Sequence, residues 1–185
     1  MKTKDVKGLM LQLSEYATVS KDATLAEAVL ALKKSHDEFD KSRYRHRAVL
    51  VLDETGSVIG KVGFTDILKG LEPKYDEMLS DKGAMHVGFT RSFQKTMLES
   101  LKLWEDPMEH ICRKAAQKKV ASFIKPISEG EYIEEKASLN EAIHQLVLGH
   151  HQSLLVVGEG KKITGILRLT DVFEAVTQEI LACKI

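Results

Sequence analysis

The chain repeats itself, and this constrains its fold more than any other feature. Ala23-Thr24-Leu25-Ala26-Glu27-Ala28 returns as Ala137-Ser138-Leu139-Asn140-Glu141-Ala142. Gly60-Lys61-Val62-Gly63-Phe64-Thr65-Asp66-Ile67 returns as Gly165-Ile166-Leu167-Arg168-Leu169-Thr170-Asp171-Val172. The two matches keep their order, so a whole structural unit is duplicated. Two like units packed together leave a cleft between them, and such clefts hold small molecules.

Each copy reads as strand, helix, strand, strand, helix. In the first, Tyr16 to Ser20 is a short strand. Thr24 with Glu27 has capping-box spacing, where hydroxyl and carboxylate satisfy amides of a first helical turn. Leu25, Ala28, Val29 and Leu32 then recur at helical spacing, giving a helix from Leu25 to Ser35. Ala48 to Leu52 is a buried strand. The turn Asp53-Glu54-Thr55-Gly56 joins it to a second strand, Val58 to Phe64. Thr65-Asp66 opens a closing helix, Ile67 to Leu71, with Thr65 suited to cap it.

The second copy follows suit. Tyr132-Ile133 is the short strand, and Ser138 with Glu141 repeats the box before a helix on Leu139, Ala142, Ile143, Leu146 and Val147. Strands at Leu154–Val157 and Ile163–Leu169 follow, and Thr170-Asp171 opens a helix to Ala182. The first copy carries nine extra residues, expected in a loop from His36 to Arg45.

The copies divide the chain into 1–71, an uncopied stretch 72–118, and 119–185. In the middle stretch Leu98, Leu101, Leu103, Trp104, Met108, Ile111 and Ala115 predict about two helices, restarted at Pro107. A connector this long and this apolar reads as ordered rather than as a tether.

Composition narrows function mainly by exclusion. Lysine plus arginine total 27 against 27 aspartate plus glutamate, so no global charge draws the chain to nucleic acid or membrane. No apolar run approaches the ~20 residues of a membrane span. Cys112 and Cys183 lie far apart without a CxxC pattern, which suits reduced thiols in the cytoplasm. His144, His150 and His151 do not share one helix face and have no cysteine beside them, so no metal site is expected. No nucleophile elbow, Walker loop or zinc-protease motif occurs, and the reading is of a protein that is not an enzyme.

The order β-α-β-β-α, closing on Gly60–Ile67 and again on Gly165–Val172, resembles CBS domains. Lys119-Val120-Ala121-Ser122-Phe123-Ile124-Lys125-Pro126 resembles their opening segment, and Thr3 to Met10 does so more loosely. The resemblance implies an α+β fold: two repeats in a pseudo-symmetric pair, a Bateman module, with an inserted helical segment. It also implies a regulatory module binding an adenosine-containing ligand (AMP, ADP, ATP or S-adenosylmethionine), with no cofactor required. A homodimer through the helix faces is expected, with an unidentified protein target as a further partner. The alternative it leaves is a ligand-free structural module for dimerisation or partner binding.

By the same resemblance, Asp66 and Asp171 would accept from ribose hydroxyls. A Ser or Thr three residues earlier would meet phosphate, but Gly63 and Arg168 stand there. Arg168 would either hold phosphate as a bidentate partner or fill the pocket. Thr65 and Thr170 flank the two aspartates. Arg47, with His46 beside it, stands where related repeats aim a basic residue at phosphate. His151 is among the second repeat's equivalents.

Overall fold

The computed structural model describes residues 5–38, 45–75, 90–122, 124 and 127–183. Among them run β1 (Leu11–Gln12), β2 (Thr18–Ser20), α1 (Leu25–Glu38), β3 (Ala48–Leu52), β4 (Val58–Gly63) and α2 (Phe64–Leu71). Then come α3 (Arg91–Ser100), α4 (Met108–Ala116), β5 (Tyr132–Glu134), α5 (Leu139–Leu148), β6 (Ser153–Val157), β7 (Ile163–Arg168) and α6 (Leu169–Ala182). The fold is α+β.

The duplication extends to the register of the sheets. Strand β3 pairs antiparallel with β4, Ala48 opposite Gly63, with a bulge between Val51 and Leu52. Strand β6 pairs with β7, Ser153 opposite Arg168, with a bulge between Val156 and Val157. Each hairpin takes a parallel third strand, β2 beside β3 and β5 beside β6. Both expected capping boxes form. Thr24 and Glu27 exchange bonds of 2.6 Å and 3.2 Å, and Ser138 and Glu141 bonds of 2.6 Å and 3.3 Å.

What ties the copies together is an exchange of opening segments. Val6 donates to the Ala137 carbonyl at 3.0 Å and is fully buried in the second repeat's core, with Leu139, Leu146, Leu154 and Leu167. In the mirror relation, Val120 donates to the Ala23 carbonyl at 2.8 Å and is buried in the first repeat's core, with Leu32, Val49, Val51 and Val62. Each repeat's opening residues thus complete the other's hydrophobic cluster. The exchange is fuller on one side, because β1 adds to β7 as an antiparallel edge, Leu11 opposite Ile166. This makes one sheet of three strands and one of four. Gly165 permits the addition: a Cβ there would lie 2.3 Å from the Leu11 carbonyl oxygen.

Two boundaries differ from the sequence reading. Helix α1 spans 14 residues against 10 in α5. Part of the first repeat's extra length is therefore an added helical turn, with His36 inside it, rather than loop; residues 39–44 lie outside the described residues. Helix α2 starts at Phe64, so its N-cap is Gly63, and the N-cap of α6 is Arg168. Thr65 and Thr170 sit one position inside their helices and do not cap them. The capping work falls instead to Asp66, whose Oδ2 accepts from the Gly63 amide at 2.9 Å.

The described part of the inserted stretch is helical, and Pro107 is the N-cap of α4 as expected. It is anchored through Glu72, which is buried and accepts from the Trp104 amide at 3.0 Å. The Trp104 indole donates to the Tyr75 hydroxyl at 3.1 Å. Lys74 Nζ donates to the carbonyls of Leu101 and Lys102, each at 2.9 Å. Those bonds hold a turn in which Lys102 and Trp104 adopt positive φ angles of 51° and 62°.

Candidate functional site

Helices α2 and α6 both begin against the start of the facing strand. The Phe64 amide donates to the Arg47 carbonyl at 3.2 Å, and the Leu169 amide to the Gln152 carbonyl at 2.9 Å. These paired bonds bring the closing motif of each repeat beside the entry to its central strand. Between the two lies a cavity of about 480 Å³. From the first repeat it is lined by Arg45, Arg47, Lys61, Gly63, Thr65 and Asp66, and from the second by Glu131, His151, Ser153, Arg168 and Thr170. Seven of the nine residues singled out in the sequence converge on this one space.

Asp171 and His46 do not line it. His46 is 1% exposed, and its ring stacks on Tyr16 with centroids 4.2 Å apart and planes 8° from parallel. Its carbonyl accepts from His36 Nε2 at 2.5 Å. Burial pushes the Tyr16 phenol up to about 12, so the tyrosine of the stack stays neutral well into the alkaline range.

Asp171 is held by Arg168. The guanidinium Nε donates to Oδ2 at 2.6 Å, and Nη2 donates to Oδ1. The two side chains are 5% and 14% exposed. Both carboxylate oxygens are engaged in a charge-assisted fork, the strongest geometry open to this pair. Asp66 is different. Its Oδ2 takes the Gly63 amide, and its Oδ1 has no partner among the described residues.

Sequence reasoning overlooked Lys61 and Glu131, which pair across the repeats at 2.6 Å. Burial would raise the Glu131 carboxyl, but hydrogen bonds from Lys61 and Ser128 outweigh it and hold the group below the ordinary carboxylate range. A signal was available for each. Lys61 interrupts an apolar strand at the position where the second repeat has Ile166, and Ser128 with Glu131 has capping-box spacing. The box forms, with the Ser128 amide donating to Glu131 at 3.0 Å.

Chemically, the cavity offers a carboxylate with an oxygen unengaged among the described residues, a helix N-terminus and the cations Arg45 and Arg47, while Lys61 is paired with Glu131 and Arg168 with Asp171. His144, His150 and His151 are not gathered for a metal: among the described residues no three histidine, cysteine, aspartate or glutamate side chains are grouped to hold an ion.

The CBS domain family model matches residues 6–73 and again 107–178. The chain belongs to the CBS domain family. No curated protein sequence matched it. Among solved structures, a CBS domain-containing protein of unknown function from Bacillus anthracis str. Ames Ancestor aligns with a TM-score of 0.63 at 18% identity, covering 96% of each chain. CBSX2 from Arabidopsis thaliana, solved in complex with AMP, aligns at TM-score 0.58 and 16% identity, covering 95% of this chain and 98% of its own. The CBS domain of a bacterial CNNM/CorC family Mg2+ transporter, solved in complex with ATP, aligns at 0.60 and 16%, covering 95% and 89%. At these identities the likeness is one of fold. The chain is a CBS pair with a helical insertion, and among the described residues no helix is long and apolar enough to cross a membrane.

Proposed function

We propose that this CBS pair is a regulatory module, not an enzyme, that binds an adenosine nucleotide in the cleft between its repeats. The observation that carries this reading is the cavity that Asp66, with one carboxylate oxygen unengaged among the described residues, lines together with Arg45 and Arg47. Asp66 would accept from the ribose diol. The phosphates would lie toward Arg45, Arg47 and His151, near the amides that open α2. AMP, ADP and ATP are anions and suit these two arginines. S-adenosylmethionine carries a sulfonium and suits them less. Nucleotide-bound relatives, CBSX2 with AMP and the transporter domain with ATP, support the class of ligand.

The repeats, taken as 1–71 and 119–185, would transmit occupancy through their shared cleft, and the segment 72–118 would carry the output to a protein target. The assembly we propose is a homodimer in the cytoplasm. Val147 and Leu148 on α5, with Phe173, Ile180 and Leu181 on α6, are large apolar side chains left exposed, and such faces need cover. Cys112 and Cys183 are free and exposed, which suits a reducing compartment.

Thermal shift on ligand-free protein with AMP, ADP, ATP and S-adenosylmethionine tests the reading. A ligand that binds only the native state stabilises by about 2.7 kcal/mol at a hundredfold excess over its Kd. The expected outcome is a rise with the nucleotides and a smaller one, or none, with S-adenosylmethionine. No response to any of the four would favour a ligand-free structural module, a reading that the engaged Asp171 already suits in the second repeat.

A further inference from the structure

Gly63 and Arg168 occupy the same place in their repeats, each the last residue of its strand and the N-cap of its helix. Their backbones are nearly the same. Gly63 has φ −94° and ψ 177°, and Arg168 has φ −93° and ψ 147°. This is extended backbone that any residue adopts, so the glycine is not required by conformation. Nor is it required by space. A Cβ at Gly63 would lie 3.5 Å from Asp66 Oδ2 and 3.9 Å from the Ala48 Cβ, which is ordinary contact. What the glycine does is leave Asp66 unclasped. What the arginine does is cover Asp171.

We infer that residue 63/168 decides which half of the cleft accepts ligand: Arg168 seals the second position by clasping Asp171, and one nucleotide binds per chain, on Asp66. The inference rests on the nucleotide reading above and adds its stoichiometry and the residue that sets it. The clasp is internal and its guanidinium is 5% exposed. A ribose diol would have to displace a bidentate charged partner from Asp171 with two neutral hydroxyls, an exchange of stronger hydrogen bonds for weaker ones. At Asp66 no such partner among the described residues has to leave. The cavity wall agrees, since Asp66 contributes to it and Asp171 does not.

The test is a reciprocal exchange of the two residues, with bound ATP and AMP counted by native mass spectrometry and affinity read by calorimetry. The wild type is expected to bind one nucleotide per chain, Arg168→Gly two, and Gly63→Arg none, because the new arginine would clasp Asp66. Asp66→Ala should weaken the wild-type site at least tenfold, the range for a lost hydrogen bond to a charged acceptor, and Asp171→Ala should not. Should Arg168→Gly fail to fold, Gly63→Arg still decides, since nothing in its backbone or surroundings opposes a side chain. Two nucleotides on the wild type, or one on all three proteins, overturns the inference and leaves the nucleotide reading standing. None on any of the three overturns both.

Discussion

Lys61 and Glu131 join the two repeats by an ion pair of 2.6 Å inside the cleft. Lys61 also reaches the Ser153 carbonyl at 3.4 Å, so one side chain of the first sheet is bonded to two points of the second repeat. The pair lies in the wall of the cavity, where an arriving phosphate would compete with Glu131 for the same ammonium.

The pair has a pH signature. The Glu131 carboxyl is held below its ordinary value in the folded protein. A depressed folded value contributes stability above the unfolded value, and that contribution is lost as pH falls through the folded one. Lys61→Met should therefore lower stability at neutral pH by about 1 kcal/mol, between the values for exposed and buried pairs. The difference from wild type should shrink to nothing on acidification below Glu131's folded value. Urea midpoints measured across the acid range check this, and a constant difference at all pH values would count against it.

Arg47 is exposed at the cavity mouth. If it meets phosphate, Arg47→Ala should weaken ATP by about 1.5–3 kcal/mol, the range for charge-assisted hydrogen bonds, while adenosine affinity is unchanged. Calorimetry with both ligands reads the difference. Equal losses for the two would mean that the substitution damages the pocket rather than a phosphate contact.

Gly165 is expected to tolerate no side chain. A Cβ would meet the Leu11 carbonyl oxygen at 2.3 Å, and that atom is backbone, not a flexible side-chain end. Gly165→Ala should cost about 1–3 kcal/mol, the range for overpacking, and should detach β1. Hydrogen exchange resolved at the Leu11–Gln12 segment would show lost protection there before elsewhere.

Glu72 anchors the insertion through the Trp104 amide. Glu72→Ala leaves that amide without its acceptor, with an expected loss of about 1–3 kcal/mol. Trp104 is the sole tryptophan, so its fluorescence reports on this contact directly. A red shift of emission at unchanged far-ultraviolet dichroism is the expected outcome.

The duplication, both capping boxes, the two hairpins and the inserted helices were legible in the sequence because each is a local or periodic pattern. That Asp66, Thr65 and Arg168 would line one cavity was legible through the repeated motif, and Arg47 through its place just before the central strand. Other features were not. That Val6 would bury itself in the second repeat and Val120 in the first cannot be read from periodicity, which says that a residue is apolar but not against which sheet it packs. The rotamer of Arg168 was equally hidden. The sequence places it beside Asp171, three residues on, but only the fold buries both and closes the fork. His46 looked like a ligand for being next to Arg47, yet in an extended chain adjacent side chains point to opposite faces, and its face is the Tyr16 stack.

The exchange of opening segments sets an order on how the chain is made. Val6 and Leu11 are translated more than a hundred residues ahead of their partners Ala137 and Ile166. Until then Val6 has no core to enter, and the first repeat lacks Val120. The first repeat cannot close its core before Val120 is made, nor Val6 and Leu11 be covered before the second repeat is. Completion waits on contacts between distant segments, the slow kind. Between the synthesis of Val6 and that of the second repeat the nascent chain therefore carries apolar segments uncovered, an interval in which chaperones have something to hold.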